Sequence, residues 1–295
     1  MTDRLARGLL RSEGLRGIFV RVTDTARIAR VLHGLYPTAA HLFAESMAAG
    51  LLVGALQKNR ARVNLQIECD GPIRGLFVDA DPDGNVRGYV RAPEVHFPGD
   101  PAAGARAALG GTGFLSVLRD LGEGNFYRGS VELRAMAIAG DLERYFAESE
   151  QVATVVDIEV SPRGDEPLGD VAAVLVQRLP DGDDAALARV RARIGGGAFR
   201  EAVARGTPGQ EAIAAVSAGD FELLADVEVA YRCGCSLERA RAAVSALGHE
   251  GLLEVLANER QAVITCEFCR ERYVVEEADL RRMAEELRVR DEDSG

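Results

Sequence analysis

The apolar and polar positions of the chain follow three successive patterns. Through residue 180, short alternating runs interleave with helical ones. Residues 17–23 (Gly-Ile-Phe-Val-Arg-Val-Thr) alternate toward their end and predict a strand. Asp24 stands where it would cap a helix from Thr25 to Gly34, and Pro37 where a second helix would begin. That second helix, to about Lys58, is rich in Ala and Gly between Ala39 and Ala55, so its backbone is expected to lie close against a sheet. Val63–Glu68, Ile73–Asp79 and Val86–Arg91 read as strands, the last two joined by the turn sequence Asp81-Pro-Asp-Gly-Asn85. Residues 92–112, rich in Pro, Gly and Ala, read as a long loop. Strands are expected at Gly113–Arg119 and Tyr127–Ala135, a helix at Asp141–Glu148 capped by Asp141, a strand at Val152–Val160 and a helix at Leu168–Leu179. This mixture predicts an α+β N-terminal domain over 1–180, with a mainly antiparallel sheet packed by helices.

The second pattern covers 181–228 and predicts a metastable helical linker. Between Asp181 and Asp220 there are seven large apolar residues: Leu187, Val190, Ile194, Phe199, Val203, Ile213 and Val216. Glycines at 195–197 and the Gly206-Thr-Pro-Gly209 segment break it into short helices such as Ala185–Ile194. Helices of that length are marginal alone in water, so the segment is expected to be weakly docked or partly disordered.

The third pattern, 229–295, predicts a small C-terminal zinc-binding domain. Ser236 is a good N-cap for a helix from Leu237 to Leu247, with Gly248 past its end. Leu252, Leu253 and Leu256 mark a second short helix. Ala262–Thr265 and Arg272–Val275 flank Cys266-Glu-Phe-Cys269 and put it at a hairpin tip. A charged helix near Glu277–Arg288 and an acidic tail close the chain.

Composition narrows the function classes. The 295 residues are 47% hydrophobic, ample for a core, but aromatics are 5% and Trp is absent, so Leu, Val and Ala must carry the packing. A net charge of −11 makes nucleic acid an unfavoured main partner, since phosphate binding needs concentrated Lys and Arg. The most apolar stretch, Leu42–Leu56, is too short to span a bilayer and contains Glu45; with no leader pattern, a soluble cytoplasmic protein without membrane partners is expected. Five cysteines, an odd number, do not suit a secreted disulfide framework.

Four of those cysteines carry the chemistry. Cys233-Gly-Cys235 and Cys266-Glu-Phe-Cys269 are separated by thirty residues. Two close pairs on a long spacer are how a chain presents four sulfurs to one tetrahedral zinc ion, bound at about 2.3 Å. A hairpin tip turns backbone N–H groups toward one pair, and a following helix N-terminus favours thiolates in the other. So small a unit is expected to need its metal in order to fold. Thiolates are also what oxidants attack, and Gly234 leaves room for a strained, readily reduced vicinal bridge. An inert clip and an oxidant-triggered release remain equally open on these grounds. Cys69 stands alone and reads as a small, half-buried apolar residue. His33, His41, His96 and His249 are scattered, Gly110-Gly111-x-Gly113 lacks the lysine and context of a phosphate loop, and no catalytic constellation stands out, so no enzymatic activity is expected.

Beyond these residues, the chain resembles the 33 kDa chaperonin family, the redox-regulated heat-shock holdases of bacteria, over nearly its full length. The most specific part is Cys233-Gly-Cys235-Ser236 with Arg239, Leu247-Gly248, Cys266-Glu-Phe-Cys269 and Tyr273. Gln66 through Asp70-Gly-Pro72, Asn85-Val-Arg-Gly-Tyr89, Tyr127-Arg-Gly-Ser-Val131, Leu142-Glu-Arg-Tyr-Phe146 with Ser149-Glu-Gln151, and Gln177-Arg-Leu-Pro180 are also similar. The resemblance implies a reduced, inactive form holding one zinc on Cys233, Cys235, Cys266 and Cys269. It implies that oxidation forms Cys233–Cys235 and Cys266–Cys269 bridges, releases zinc, unfolds the C-terminal domain and destabilises the linker. The N-terminal domain would then hold unfolding client proteins, and the oxidised form would tend to dimerise. The chain departs from the family at His249-Glu250-Gly251 and at Glu68-Cys-Asp-Gly-Pro72, and diverges most in the linker. The competing reading from the cysteine pairs is a zinc module that binds nucleic acid or a protein partner.

Overall fold

The computed structural model describes residues 2–57, 61–122, 125–180, 182–217 and 221–293; the expected bounds at Lys58, Asp181 and Asp220 lie outside them. The chain divides into two units, Met1–Arg232 and Cys233–Gly295.

In the first unit a five-stranded sheet takes the order β10-β1-β2-β9-β8, from β1 (Arg4–Leu10), β2 (Leu15–Arg21), β8 (Thr154–Arg163), β9 (Glu166–Arg178) and β10 (Phe221–Glu228). A six-stranded sheet takes the order β11-β5-β4-β3-β6-β7, from β3 (Val63–Cys69), β4 (Gly75–Ala80), β5 (Asn85–Val90), β6 (Gly113–Gly122), β7 (Asn125–Glu132) and β11 (Ala230–Tyr231). Every pairing within these sheets is antiparallel except β11 beside β5. The α+β expectation therefore holds, with two sheets where one was expected.

Helix α2 (Pro37–Gly54) packs against strands of both sheets, and α1 (Thr23–His33) and α4 (Ile138–Glu148) flank it. This explains its small residues: it is buried at nearly every position, so it carries no polar face. Leu5, Ile18, Val20, Val171, Ala173 and Leu175 meet it from the five-stranded sheet. The opposite face of that sheet, with Leu15, Phe19, Val174 and Val176, is covered by the linker helices α5 (Asp184–Gly195), α6 (Ala198–Ala204) and α7 (Gly209–Val216).

Several local expectations are corrected. Leu168–Leu179 is not a helix but most of β9: buried on both faces, the strand loses its alternation and reads as a continuous apolar run. Residues 92–112 are not all loop, because α3 (Pro101–Leu109) forms there, with Pro101 in its first turn and the Asp100 carboxylate accepting from the Ala103 N–H at 3.0 Å. Asp24 does not cap α1. The Asp3 carboxylate does so from the start of β1, accepting from the N–H groups of Asp24 and Thr25 at 3.2 and 2.7 Å. Asp141 lies inside α4, fully buried, where it accepts from the backbone N–H groups of Arg134, Ala135 and Ala137.

The linker differs most from its expectation. Of its seven large apolar residues, all but the half-buried Ile194 are buried against the sheet. Three thin stripes combine into one cover because the sheet presents a second apolar face. Close approach is needed: a Cβ on Gly209 would lie 2.7 Å from the Phe19 ring, and one on Gly17 would lie 3.0 Å from Ile213. Residues Phe221–Glu228, expected within the helical linker, pair as β10 with β1.

The second unit contains α8 (Leu237–Ser245), α9 (Gly248–Asn258), the hairpin of β12 (Ala262–Thr265) and β13 (Arg272–Val275), and α10 (Glu277–Asp293). Its core is small. Among the described residues the buried apolar ones are Ala240, Val244, Leu252, Val275, Leu280, Met283 and Ala284. Among the described residues no helix is long and apolar enough to cross a membrane.

Candidate metal centre

The hairpin and the start of α8 bring the cysteine pairs together. Backbone bonds from Cys266 N–H to the Glu271 carbonyl (2.9 Å) and from Arg270 N–H to the Cys266 carbonyl (2.8 Å) close a tight knuckle, with Arg270 at φ +59°. The knuckle turns the N–H groups of Cys269 and Phe268 toward the Cys266 sulfur, and that of Glu271 toward the Cys269 sulfur. The other pair lies just before α8, whose N-cap is Ser236 as expected: its hydroxyl accepts from the Arg239 N–H at 3.3 Å.

All four sulfurs lie within 4.8 Å of one another. Across the pairs, Cys233 and Cys266 sulfurs are 3.7 Å apart, and those of Cys235 and Cys269 are 3.2 Å apart. A tetrahedron with metal–sulfur bonds of about 2.3 Å has edges of about 3.8 Å. The cluster is therefore near the size that a four-thiolate metal site requires. Among the described residues it is the one group of three or more Cys, His, Asp or Glu side chains gathered this tightly.

Electrostatics favours a cation here. Burial, followed by the neighbouring thiols, pushes the Cys269 thiol strongly upward, and burial raises Cys266 against the pull of its N–H donors. Four sulfurs this close cannot all be thiolates without a positive partner. A bound dication inverts that balance and holds thiolates outright. The α8 N-terminus assists, and the Arg239 guanidinium reaches within 3.9 Å of where a Cβ of Gly234 would stand.

Tyr273 is a contact that residue spacing does not foretell. Its hydroxyl lies 3.1 Å from the Cys235 sulfur, and this bond is the main reason its phenol is raised, with desolvation second. Strand alternation could have found it, since Tyr273 sits on β13 across from Ile264, two residues before Cys266. The histidines have other partners. His249 Nδ1 is 2.9 Å from the Ala284 carbonyl, His33 meets the Tyr231 hydroxyl at 3.0 Å, His41 lies 3.6 Å from Glu45, and His96 lies 3.4 Å from the Thr38 hydroxyl. Cys69 packs half-buried against the core of the first unit, and burial raises its thiol.

Comparison with known proteins agrees with this arrangement. The family model described as Hsp33 protein matches residues 3–276. The chain is 34% identical to the 33 kDa chaperonin of Geobacter sp. (strain M21) over 290 residues, covering 97% of this chain and 98% of the other. It is 30% identical to the 33 kDa chaperonin of Bacillus subtilis (strain 168), covering 94% and 97%. The crystal structure of the 33 kDa chaperonin from Thermotoga maritima superposes with a TM-score of 0.86 at 25% identity, covering 97% of this chain and 98% of that one. The family match over most of the length, the fold and the four-cysteine cluster agree, and this chain belongs to the Hsp33 family of 33 kDa chaperonins.

Proposed function

We propose that this chain is a redox-regulated holdase, inactive while Cys233, Cys235, Cys266 and Cys269 hold one zinc ion and active once they are oxidised. The observation that carries the reading is the gathering of four sulfurs within 4.8 Å in a unit with seven buried apolar residues among those described. Zinc binding to small modules of this kind contributes on the order of 10–16 kcal/mol at neutral pH, and that becomes folding free energy. Losing the ion therefore unfolds the unit.

The proposed bridges are Cys233–Cys235 and Cys266–Cys269. A peroxide takes two electrons from one thiolate, giving a sulfenic acid and hydroxide. The partner thiolate displaces a second hydroxide and forms the S–S bond. Two bridges consume two peroxides and four electrons, and zinc leaves with no thiolate to hold it. Gly234 supports this. A Cβ there would meet nothing nearer than 3.9 Å and its φ is not positive, so the reduced fold makes no demand for glycine. A two-residue-span disulfide ring would make that demand.

Client binding follows from what linker release uncovers. Leu10, Leu15, Phe19, Val155, Ala172, Val174 and Val176 form one apolar sheet face beneath α5–α7. An exposed face of this kind binds the apolar segments of unfolding chains, in the cytoplasm, and favours pairing of two oxidised copies. The test compares suppression of client aggregation by reduced and by peroxide- or hypochlorite-treated protein at raised temperature, with zinc and free thiols counted in each. The expected result is loss of one zinc and four thiols together with a gain in activity. Equal activity with zinc retained sinks the switch.

A further inference from the structure

A polar cleft of about 250 Å³ opens in the first unit where β2, α1 and the β8–β9 hairpin meet the C-terminal end of α6. It is lined by Arg21, Arg27, Arg163 and Arg205 and by two carboxylates, Asp24 and Asp170, in a chain whose net charge is −11. The ordinary explanation of such arginines is internal pairing, and it accounts for two of them. Arg27 bonds the carbonyls of Leu168 and Gly169, both at 2.9 Å, and Asp24 at 3.2 Å. Arg163 bonds Asp170 at 2.7 Å.

The other two are under-used. Arg21 is 4% exposed, yet its contacts, to Asp170 and to the Thr207 carbonyl, are long, at 3.5 and 3.4 Å. A buried guanidinium normally takes several short bonds. Among the described residues the Arg205 side chain pairs with Glu201 alone, at 3.7 Å on the exposed side. Asp170 divides its two oxygens between Arg163, at 2.7 Å, and Arg21, at 3.5 Å, and Asp24 pairs with Arg27. Arg21 thus has only a long pair with a shared carboxylate and Arg205 only a loose exposed one, so both keep donors for a further acceptor in the cleft, one from the sheet and one from the linker.

We propose that this cleft is a binding site for a phosphate-type oxyanion, which Arg21 and Arg205 grip from opposite sides while Arg27 and Arg163 complete a positive wall. Guanidinium forks match phosphate oxygens two at a time. Because Ala204, Arg205 and Gly206 form one wall, the complete site exists only while α6 is docked. The anion therefore favours the docked linker: at ten times its dissociation constant it raises the docked population about elevenfold over any open state. This regulatory consequence rests on the switch reading above, whereas the binding itself does not.

The test uses the reduced, zinc-loaded full chain. Calorimetric titration with inorganic phosphate, and separately with pyrophosphate, is run against sodium chloride at matched ionic strength. Saturable one-to-one binding is expected, weakened at least tenfold in Arg205→Ala and in Arg163→Ala; both side chains are largely exposed, so neither change threatens the fold. Tighter pyrophosphate binding identifies a phosphate chain as the better occupant, and equal binding a single phosphate group. No saturable binding, or equal binding by the variants, overturns the site. Protease cleavage within residues 184–216 should slow as phosphate is added, and in the Arg205→Ala chain it should not. Binding with unchanged cleavage overturns the coupling and leaves the redox reading untouched.

Discussion

The linker helices and the metal unit are both small, and they are held in opposite ways. Residues 184–216 bury nine apolar side chains, from Ala186 to Val216, on a sheet face that is fully formed without them. The second unit, about twice as long, buries seven among the described residues, and four sulfurs rather than a core gather at its hairpin tip. The linker's helices of 12, 7 and 8 residues are too short to persist alone, so all their order comes from the sheet. One region depends on a surface supplied by its neighbours; the other, on the reading proposed above, depends on an ion. Each can therefore be lost separately, and the following experiments set the two dependences against each other.

Removing the metal should have the largest effect. Under reducing conditions, a strong chelator removes a contribution on the order of 10–16 kcal/mol, more than so small a core can offset. Amide hydrogen exchange should show protection lost throughout 233–293 and kept in β1, β2 and β9. Protection retained in α8–α10 without metal would show that the small core suffices.

Next comes Phe199→Ala. Phe199 is fully buried and meets Phe19 edge-on with ring centroids 6.3 Å apart. Its truncation should cost about 3–5 kcal/mol, taken from linker docking alone. Cleavage within 184–216 should rise sharply while zinc content stays at one per chain. A parallel loss of zinc would mean that the two regions share their stability.

A smaller effect is expected from pH. Asp157 lies on β8 between Val155 and Glu159, on the face that α5 and α6 cover. Burial first, and then Glu159, raises its carboxyl to about 6, against the opposing pull of the Ile158 N–H and Arg200. Because the folded-state value is raised, its contribution is fully present below the ordinary value of 3.8 and is lost as pH climbs through about 6. Docking should thus weaken between about pH 4 and 7, by on the order of 1–3 kcal/mol. Asp157→Asn should remove this dependence and protect the linker at pH 7, measured by protease sensitivity at several pH values. A wild-type profile flat across that range would contradict the assignment.

The smallest change in the resting state is expected from Gly234→Ala. With open space at that position, the reduced chain should keep its metal and its melting temperature. Oxidation should nonetheless slow at the Cys233–Cys235 pair relative to Cys266–Cys269, as peptide mapping of the disulfides would reveal. Equal rates would remove Gly234 as an argument for the bridge.

Legibility in the sequence varied with how local the determining interactions are. The cysteine knuckle, the Ser236 cap and the 262–275 hairpin were readable because each is set by residues within a few positions of one another. Helix α3 was masked by its Ala, Gly and Pro content, although Asp100-Pro101 is a helix-start signal. Strand β9 read as a helix because its neighbours on both faces are apolar. Asp3 was not expected as a cap and Asp141 was expected to cap its own helix, since the N–H groups they in fact bind belong to other elements or to a loop folded back by the tertiary structure.

The sequence by itself determined the candidate donors, four sulfurs in two pairs, because residue identity and spacing are covalent facts. It also determined the thinness of the linker stripes and the scarcity of large apolar residues in the last sixty. Only the tertiary structure decided that those stripes suffice for docking, since that required the second apolar face of a sheet assembled from β1, β2, β8, β9 and β10, strands far apart in the chain. It alone brought Arg21 and Arg205 to one cleft, because contacts between distant residues are fixed by packing and not by spacing.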